Sequence, residues 1–389
     1  MRLGIISDAH HYFDAEGKLY TLTPLARQFE QWAGLFNEVI ICAPLLSGPP
    51  SNAASPYLAT NINLLPIVNA GGNTIRAKLN LVFALRDWWV ALNELLKRVD
   101  AVHIRCPNNI SILGLLALAR SSRLRQAVYT GNWSGYQNEP LTYRLQRLVL
   151  KRYFRGPVAV YGEWPNQPPH IVPSFSPSFS LLDWQQEGAA IVRKISCLQS
   201  LSPSSRALKL VSVGALNSNK NQQLAIHAVK ILHDRLIPAE LYLLGDGENR
   251  QNLEELSRSM GLNEIVHFCG RVSHDSVREF YREADFVIQP SLTEGFSKVP
   301  MEAFVHGAIP LLSNVSVNPQ IVGERDRGRY FPIDDAVTLA KQIEELAQQP
   351  REMVRLIKNG RDYSRILTLE AWRDHIRQML RTHWASDLG

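Results

Sequence analysis

Two glutamates in the second half of the chain have the type and spacing of a ligand site. Residues 289–307 read QPSLTEGFSKVPMEAFVHG, and seven residues separate Glu294 from Glu302. We expect Glu294 in a loop after a strand and Glu302 on the first turns of a helix. Backbone N–H groups at a helix start lack intrahelical partners and carry the positive end of the dipole, so they suit a pyrophosphate or a sugar hydroxyl. Gly295 lets the backbone approach such a ligand closely.

The spacing of two glutamates does not by itself separate ligand binding from helix capping. The motifs around them are more specific. In order, the chain contains LVSVGALNSNK, LYLLGDGENR and IVHFCGRVSHD before the glutamate segment. From about Leu210 to Ser313 this series resembles family 4 of the retaining glycosyltransferases. The shared pieces are a VG-x-L loop with its lysine, a GDG-like turn, an F-x-G-x-V turn and the E-G-F…E pattern.

The resemblance implies the GT-B fold: α/β, with two doubly wound parallel-sheet (Rossmann-like) domains facing a cleft. The C-terminal domain is expected to hold a nucleotide sugar. Glu302 should then bind the ribose hydroxyls, Glu294 hydroxyls of the donor sugar, and Lys220 the diphosphate. The turns around them are expected to complete the donor site, and their residues are Gly214, Gly295, Phe296, Ser297 and Lys298, with Gly270, Arg271 and Val272 bordering the nucleobase.

The resemblance also implies the chemistry. A glycosyl–diphosphate bond breaks through an oxocarbenium-like state while negative charge grows on the leaving phosphate. Fixed cations and N–H dipoles stabilise that charge. Family members retain the anomeric configuration without a metal ion, and no DxD metal motif is evident here. We therefore expect no metal and no cofactor, a UDP- or GDP-sugar as co-substrate, and Lys220 and Glu294 as the catalytic residues, with Glu294 a sugar contact rather than a nucleophile.

The sequence departs from the family at the phosphate. Members usually carry a basic residue after the glycine of the VG loop, where this chain has Ala215, so one of two cations is missing. Lys298 stands where the family usually has an apolar residue. Two interpretations stay open for Lys298: it replaces the lost cation, or it is a solvated lysine at a helix start.

The first half resembles the family only in its architecture. Gly17 is the one glycine in a loop where members have several near the donor phosphates. Asn132 stands where many members have a histidine that touches the donor sugar; asparagine can donate and accept hydrogen bonds but cannot act as an acid or base. His103 and Arg105 are expected after the strand DAVHI, at the mouth of the cleft. A lone histidine there is more often structural than catalytic.

Hydrophobic patterning distributes these motifs over two domains. In each half, short apolar runs alternate with helical spacing, which is typical of a parallel sheet covered on both faces. The prolines from Pro165 to Pro177 predict irregular structure. The predicted segments are an acceptor-side domain over 1–175, a linker over 176–206, a nucleotide-sugar domain over 207–365, and a terminal helix over 366–389 that packs on the first domain.

Composition excludes several classes of protein. The chain has 389 residues with a net charge of +6, which suits an anionic partner without selecting one. Its four cysteines are widely spaced, so we expect buried thiols of a reducing compartment rather than a zinc site. The longest apolar run, Ile110–Ala119, is shorter than the ~20 residues that cross a bilayer. With no secretory signal evident, we expect a cytoplasmic location.

A basic helix over 144–155 raises the question of a membrane surface. Arg144, Arg147, Lys151 and Arg155 recur at steps of three and four, which predicts a cationic stripe. Docking to anionic lipid at the inner face of the membrane and a merely solvated surface both stay open. A nucleic-acid partner is not expected, because no recognition module is present and aromatics are scattered.

Three functions are compatible with the sequence. The leading one is transfer of a sugar from a nucleotide sugar to a saccharide or lipid-linked saccharide, in polysaccharide or glycolipid synthesis. A second is a sugar-nucleotide epimerase of the same fold, which needs acid and base groups that no motif supplies. A third is a non-catalytic sugar-nucleotide-binding protein, which Ala215 and Asn132 keep open.

Overall fold

The computed structural model describes residues 1–51, 53–71, 75–200 and 206–384, and the side chains of 75–79 and 274 are not described. Within the predicted segments, 201–205 of the linker and 385–389 of the terminal helix therefore lie outside the described residues. The chain forms two compact units: unit 1 is Met1–Pro177 with Leu369–Gly389, and unit 2 is Ser178–Thr368.

The elements of the first part of the chain are, in order, β1 (Arg2–Ile6), β2 (His11–Phe13), β3 (Leu19–Leu22), α1 (Thr23–Ala33), β4 (Glu38–Pro44), β5 (Ala54–Pro56), β6 (Ile62–Ile67), α2 (Ile75–Arg98), β7 (Ala101–Cys106), α3 (Asn109–Ala119), β8 (Leu124–Tyr129), α4 (Leu141–Arg152), β9 (Val158–Tyr161) and β10 (Ile171–Ser174).

The remaining elements are α5 (Leu181–Gln186), α6 (Gly188–Ser200), β11 (Leu208–Val213), α7 (Gln222–Asp234), β12 (Ala239–Leu244), α8 (Arg250–Ser259), β13 (Val266–Gly270), α9 (His274–Glu283), β14 (Phe286–Gln289), α10 (Val299–His306), β15 (Ile309–Ser313), α11 (Asn318–Val322), β16 (Arg329–Phe331), α12 (Ala336–Ala347), α13 (Pro350–Ser364), a 3-10 turn (Arg365–Leu367) and α14 (Leu369–Trp384).

Unit 1 is built on a seven-stranded parallel sheet in the order β10-β9-β8-β7-β1-β4-β6. Apolar side chains of α2, α3 and α4 share one core with the sheet. Crossovers between parallel strands are right-handed. Across the sheet, the chain moves from β1 to β4 in one direction and from β7 to β8 in the other. Helix α1 therefore covers the opposite face of the sheet. A small antiparallel sheet, β2-β3-β5, lies beside α1.

Helix α14 packs on unit 1, next to α1. The Trp372 ring meets the Trp32 ring edge-on at 5.6 Å between centroids, and Trp384 donates its indole N–H to the Arg125 carbonyl at 3.1 Å. The apolar stripe of α14, which includes Ile376 and Leu380, is buried. The stripe at three- and four-residue steps is thus the packing face of this helix.

Unit 2 is built on a six-stranded parallel sheet in the order β13-β12-β11-β14-β15-β16. Strand β14 and its neighbour β15 are buried along their whole length, which explains their continuous apolar sequences. The prediction of two doubly wound parallel-sheet domains is confirmed.

The structure differs from the sequence prediction between the two sheets. The proline-rich stretch contains β10, a regular strand at the edge of the sheet, with Pro173 inside it. An edge strand tolerates proline because one of its sides needs no N–H donor. The range predicted as a linker contains α5 and α6, and both belong to unit 2. A capping box between Ser180 and Asp183 begins α5.

The expectation that all four thiols are buried is also corrected. Cys42 and Cys106 are buried as predicted, but Cys197 is exposed and Cys269 is half-buried. Cys197 lies on α6, where only one residue, Ile191, is fully buried, so its apolar neighbours do not enclose it. Among the described residues, no helix has the length and apolar character to cross a membrane.

Candidate functional site

The sequence motifs of unit 2 meet where the strand order of its sheet reverses. Strands β11, β12 and β13 follow each other in one direction, and β14, β15 and β16 in the other, so β11 and β14 are the switch point. In open parallel sheets, ligands bind beyond the carboxyl ends of the two strands at this point. Gly214 directly follows β11, and the Glu294 loop follows β14.

Asn219 joins the two loops. Its carbonyl accepts from the Leu292 N–H at 2.8 Å, and its side-chain oxygen accepts from the Thr293 N–H at 3.1 Å. Its side-chain amide donates to the Thr293 carbonyl at 3.1 Å. These three hydrogen bonds fix the residues directly before Lys220 and Glu294 against each other. Sequence reasoning missed Asn219, because an asparagine in a loop carries no distinctive pattern.

Lys220 and Glu294 form an ion pair at this switch point. The Lys220 Nζ lies 2.5 Å from Glu294 Oε1, and the two side chains are 24% and 11% exposed. Gln289 donates to the same carboxylate oxygen at 2.7 Å. The stem of Lys220 crosses Gly214, where a Cβ would lie 3.5 Å from the lysine Cε. A lysine ammonium has three donors, so Lys220 can hold Glu294 and an anionic ligand together.

The glycine turns after β11 and β12 touch each other. A Cβ on Gly245 would lie 1.9 Å from the Gly214 carbonyl oxygen, so only glycine fits. The φ angle of Gly245 is +143°, which also favours glycine. Gly245 donates its N–H to the Gly270 carbonyl at 2.8 Å. The three turns after β11, β12 and β13 are therefore held side by side at one edge of the sheet.

Glu302 lies in the first turn of α10 and is supported from inside the unit. The buried Tyr281 donates its hydroxyl to Glu302 Oε2 at 3.1 Å. Burial, together with the nearby Glu302 carboxylate, raises the pKa of Tyr281 well above its usual value, so the hydroxyl stays a donor. Val272 and Val299 pack on the same apolar cluster as Tyr281. The turn after β13 and the start of α10 are thereby brought together.

The start of α10 has fewer N–H donors than a regular helix start. Pro300 has no N–H, and the Val299 N–H donates to Ser297 Oγ at 3.3 Å. Lys298 occupies the N-cap without a capping side-chain hydrogen bond. A ligand anion at this position therefore depends more on side-chain cations than the sequence expectation assumed.

The other predicted donor residues differ in exposure. Ser297 is buried, Gly295 and Phe296 are half-buried, and Arg271 is exposed. The Gly295 carbonyl accepts from Ser316 Oγ at 3.3 Å. Val272 has its side chain in the apolar cluster, so it supports the turn after β13 from below.

The placement predicted for His103 is wrong. His103 and Arg105 lie inside β7 rather than after it. The His103 ring is 2% exposed, lies tilted against the Trp32 ring at 4.7 Å between centroids, and hydrogen-bonds Gln126. Burial and the nearby Arg105 charge lower its pKa to about 3, so it is neutral. Its neighbours in the sheet and on α1 enclose it, which makes His103 a core residue of unit 1.

Arg105, Asn132 and Gly17 have local structural contacts in unit 1. The Arg105 guanidinium lies 5.6 Å from the Phe29 ring centre and donates to Gln28 at 3.3 Å. Asn132 Oδ1 accepts from the Ser134 N–H and hydroxyl at 3.1 and 2.7 Å, which shapes the turn after β8. Gly17 takes a φ of +80° in the exposed turn between β2 and β3.

Unit 1 has a cavity of its own, of about 340 Å³, at the carboxyl edge of its sheet. Strands β1 and β7 are the switch point there, and the cavity lies beside the residues that follow them. Its walls combine polar and aromatic groups, among them Asp8, His10, Asn108, Trp88 and Tyr143. Carboxylate, amide and phenol groups beside aromatic rings suit a neutral, hydroxyl-rich ligand. No pattern in the sequence separates Trp88, Asn108 or Tyr143 from ordinary residues of a helix or loop.

The predicted cationic stripe over 144–155 is wrong in two respects. Helix α4 ends at Arg152, so Arg155 lies beyond it. Arg147 is directed inward to the buried Glu139, with Nη2 at 2.7 Å from Oε2. A buried carboxylate requires a partner, and Arg147 supplies it.

Known proteins resemble this chain in both sequence and fold. Residues 199–363, nearly all of unit 2, match the family model described as glycosyl transferases group 1. This part of the chain is similar to the group 1 glycosyltransferases. The match contains every predicted donor residue of unit 2, from Gly214 to Glu302.

The lipopolysaccharide core biosynthesis glycosyltransferase LpsE of Rhizobium meliloti is 30% identical over 154 residues, which are 39% of this chain and 43% of LpsE. The chain thus matches about two fifths of the length of such curated relatives.

Two solved structures extend the likeness to the whole chain. Sucrose-phosphate synthase of Thermosynechococcus elongatus superposes with a TM-score of 0.72 at 18% identity, covering 100% of both chains. Anabaena HepE, solved with UDP-glucose, has a TM-score of 0.71 at 13% identity and covers 98% of this chain and 100% of its own. At such identities the likeness shows the fold alone, and the prediction of a GT-B fold is confirmed.

Proposed function

We propose that this protein is a retaining glycosyltransferase of polysaccharide or glycolipid synthesis. It moves a sugar from a UDP- or GDP-sugar to a saccharide or lipid-linked saccharide, without a metal ion or other cofactor. The observation that carries the proposal is the Lys220–Glu294 pair at the switch point of unit 2, inside the stretch that matches group 1 glycosyltransferases.

The geometry of unit 2 supports the following donor roles. Lys220 contacts the diphosphate with the N–H groups that Glu294 leaves available, and Glu294 accepts from hydroxyls of the donor sugar. Glu302, supported by Tyr281, binds the ribose hydroxyls. Two backbone segments also contact the ligand. One is formed by the turns at Gly214, Gly270 and Arg271, and the other is the loop before α10, from Gly295 to Lys298.

The proposed chemistry needs charge stabilisation more than a covalent nucleophile. As the bond from sugar to diphosphate breaks, negative charge grows on the leaving phosphate and positive charge on the sugar. Lys220 stabilises the negative charge on the phosphate, and Glu294 stabilises the positive charge on the sugar. The pair supplies both charges at one place, because the ammonium and the carboxylate lie 2.5 Å apart. The leaving phosphate accepts the proton of the acceptor hydroxyl on the same face, so the configuration is retained.

The acceptor sugar binds in the cavity of unit 1. Asp8 and Asn108 would hydrogen-bond its hydroxyls, and the rings of Trp88 and Tyr143 would contact its apolar faces. Gly17 and Asn132 shape turns of this unit, and Arg105 contacts helix α1. His103 is not part of the site, because it is buried.

The test measures release of nucleoside diphosphate from UDP-, GDP- and ADP-sugars, with and without EDTA. We expect slow release from one donor, unchanged by EDTA, and loss of release in Lys220→Ala. The product's anomeric configuration, read by NMR, should equal that of the donor. Inversion would contradict the retaining assignment, and loss of activity in EDTA would contradict metal independence.

The same assay separates the other two functions. Conversion of one nucleotide sugar into another, without release of the diphosphate, would indicate an epimerase. Binding without turnover would indicate a non-catalytic protein. We favour transfer because Lys220 provides a cation for a leaving phosphate, which an epimerase that retains this bond does not require.

A further inference from the structure

One surface of unit 1 carries exposed apolar side chains. Helix α2 exposes Val82, Phe83 and Val90, and Phe83 is 78% exposed. Helix α4 exposes Leu141, Leu145 and Leu148, and Leu141 is 79% exposed. Single exposed apolar residues are ordinary, whereas a group of them on neighbouring elements indicates an interaction surface. We name these six residues the outer helical face.

The three residues of α4 recur at steps of four and three, so they form one stripe along the helix. Helices α2 and α4 share a core with α3 on the same face of the sheet, through Trp88 and Leu92 of α2 and Leu150 of α4. The exposed side chains project away from that core. The outer helical face is therefore one side of unit 1 rather than a scatter of positions.

The helices on this face of the sheet carry a strongly positive net charge. The sequences of α2, α3 and α4 contain nine lysines or arginines and two acidic residues, and α3 and α4 contain no acidic residue. The whole chain has 42 basic and 36 acidic residues, so its net charge arises here. Arg144, Arg152 and Arg155 are exposed. The buried Glu139 lies 3.8 Å from Arg144, and Arg147 already neutralises it.

The outer helical face reaches the edge of the sheet that carries the cavity of unit 1. In a parallel sheet, each crossover helix begins near the carboxyl end of the preceding strand. The first turn of α4 therefore flanks the cavity, and Tyr143 from this turn lines it together with Trp88 from the middle of α2. Phe83 lies five residues from Trp88, which is about one and a half helical turns, and Leu141 lies only two residues from Tyr143.

We propose that the outer helical face docks on an anionic lipid bilayer and that the acceptor saccharide is carried by a lipid of that bilayer. Exposed leucine and phenylalanine among arginines match an interfacial surface, in which apolar groups enter the headgroup region and cations attract anionic lipid. A second copy of this face is a poorer partner, because its cations would oppose one another. The lipid-linked acceptor rests on the proposed function; the docking does not.

The test is co-sedimentation of the full chain with vesicles of phosphatidylcholine alone and with one third phosphatidylglycerol. We expect binding to the anionic vesicles and little to the neutral ones. The triple variant Arg144→Glu, Arg152→Glu, Arg155→Glu should bind on the order of 100-fold more weakly, since each cation contributes roughly five-fold. Leu141→Ser with Leu145→Ser should reduce binding at least ten-fold.

The control reverses three exposed cations of unit 2, with Arg193→Glu, Arg258→Glu and Lys358→Glu. Vesicle binding should survive in it. Equal loss in this control, full binding by the leucine variant, or equal binding to neutral vesicles would overturn the proposal. So would a dimer in sedimentation equilibrium that the leucine variant dissociates. Binding of UDP to each variant, measured by calorimetry, separates a failed docking surface from a failed nucleotide site.

Discussion

At the scale of single residues, the donor site depends on buried partners that hold half-buried carboxylates. Glu302 is held by Tyr281 and Glu294 by Gln289, and both partners are buried. A carboxylate whose position is fixed loses less conformational entropy when a ligand binds. These partners are positioning residues, since they act through the glutamates.

Replacing Tyr281 with phenylalanine tests this relation. The variant removes one hydrogen bond to Glu302 and keeps the ring, so we expect UDP to bind roughly ten-fold more weakly, about 1.5 kcal/mol. The turnover number should change little, because the ribose is remote from the broken bond. Tyr242→Phe is the matched control, since Tyr242 donates to Glu240 at 2.5 Å outside the proposed site. Calorimetric titration with UDP that gives equal Kd values for both variants would refute the role.

Replacing Lys298 with alanine tests whether this lysine substitutes for the cation missing at Ala215. The start of α10 offers few N–H donors, so binding of an anion there depends more on a side-chain cation. If Lys298 contacts the diphosphate, Lys298→Ala should weaken donor binding about as much as Lys220→Ala, on the order of 10- to 100-fold. The measurement is the Kd for the nucleotide sugar. An unchanged Kd would mean that Lys298 is only a solvated lysine.

Buried histidine makes unit 1 sensitive to acid. His103 has a folded-state pKa of about 3, against an ordinary value of 6.5. Below pH 6.5 the unfolded chain takes up a proton that the folded chain does not, so stability is full above pH 6.5 and falls as the pH drops toward 3. Between pH 7 and pH 5 this site should cost about 2 kcal/mol.

His103→Gln keeps a polar group beside Gln126 and cannot titrate. The measured quantity is the free energy of unfolding from urea titrations. Between pH 7 and pH 5, this free energy should fall by about 2 kcal/mol less in the variant than in the wild type. His227→Gln, at an exposed position of unit 2, is the control. Identical pH dependence of wild type and His103→Gln would show that the histidine is not a determinant of acid stability.

At the scale of elements, strand ends and the turns after them create the site. Gly245 is the tightest point, because any Cβ there meets the Gly214 carbonyl oxygen at 1.9 Å. Gly245→Ala should therefore destabilise unit 2 by about 3 kcal/mol or more, from backbone strain and steric overlap. Gly261→Ala shares the positive φ but meets no atom within 4 Å, so it should cost less. Urea unfolding compares the two, and equal losses would contradict the steric argument.

The elements that sequence alone predicts are those with continuous apolar patterns. The strand at Phe286–Gln289 and the helix at Val299–His306 are found where the patterns place them. The strands β6 and β10 are less apparent, because each contains a proline and lies at a sheet edge. Helices α5 and α6 are less apparent because they bury few residues, so no continuous apolar face marks them.

Within the site, the motif residues are predictable and their partners are not. Lys220 and Glu294 belong to patterns of spacing that a sequence displays. Tyr281 and Asn219 act through the tertiary fold, at 21 and 74 positions from the residues they contact, so no local pattern reveals them. The misplacement of His103 has the same origin, because a strand longer than its apolar core extends past the histidine.

At the scale of the whole molecule, the chain leaves unit 1 after Pro177 and returns to it at Leu369. The stability of unit 1 thus depends on the last helix, whose Trp372 ring contacts the Trp32 ring of α1. Trp372→Ala should destabilise unit 1 by roughly 3 kcal/mol or more, through lost burial and a residual cavity. Trp184→Ala is the counterpart in unit 2, where the indole stacks on Arg361 at 3.9 Å.

Scanning calorimetry with and without UDP assigns the two effects. UDP at ~100 times its Kd stabilises the unit that binds it by about 2.7 kcal/mol, which raises one transition. We expect that transition to be lowered by Trp184→Ala, and the UDP-insensitive one to be lowered by Trp372→Ala. If Trp372→Ala instead lowers the UDP-sensitive transition alone, α14 stabilises the nucleotide-binding unit, and the assignment of this helix to the core of unit 1 fails in solution.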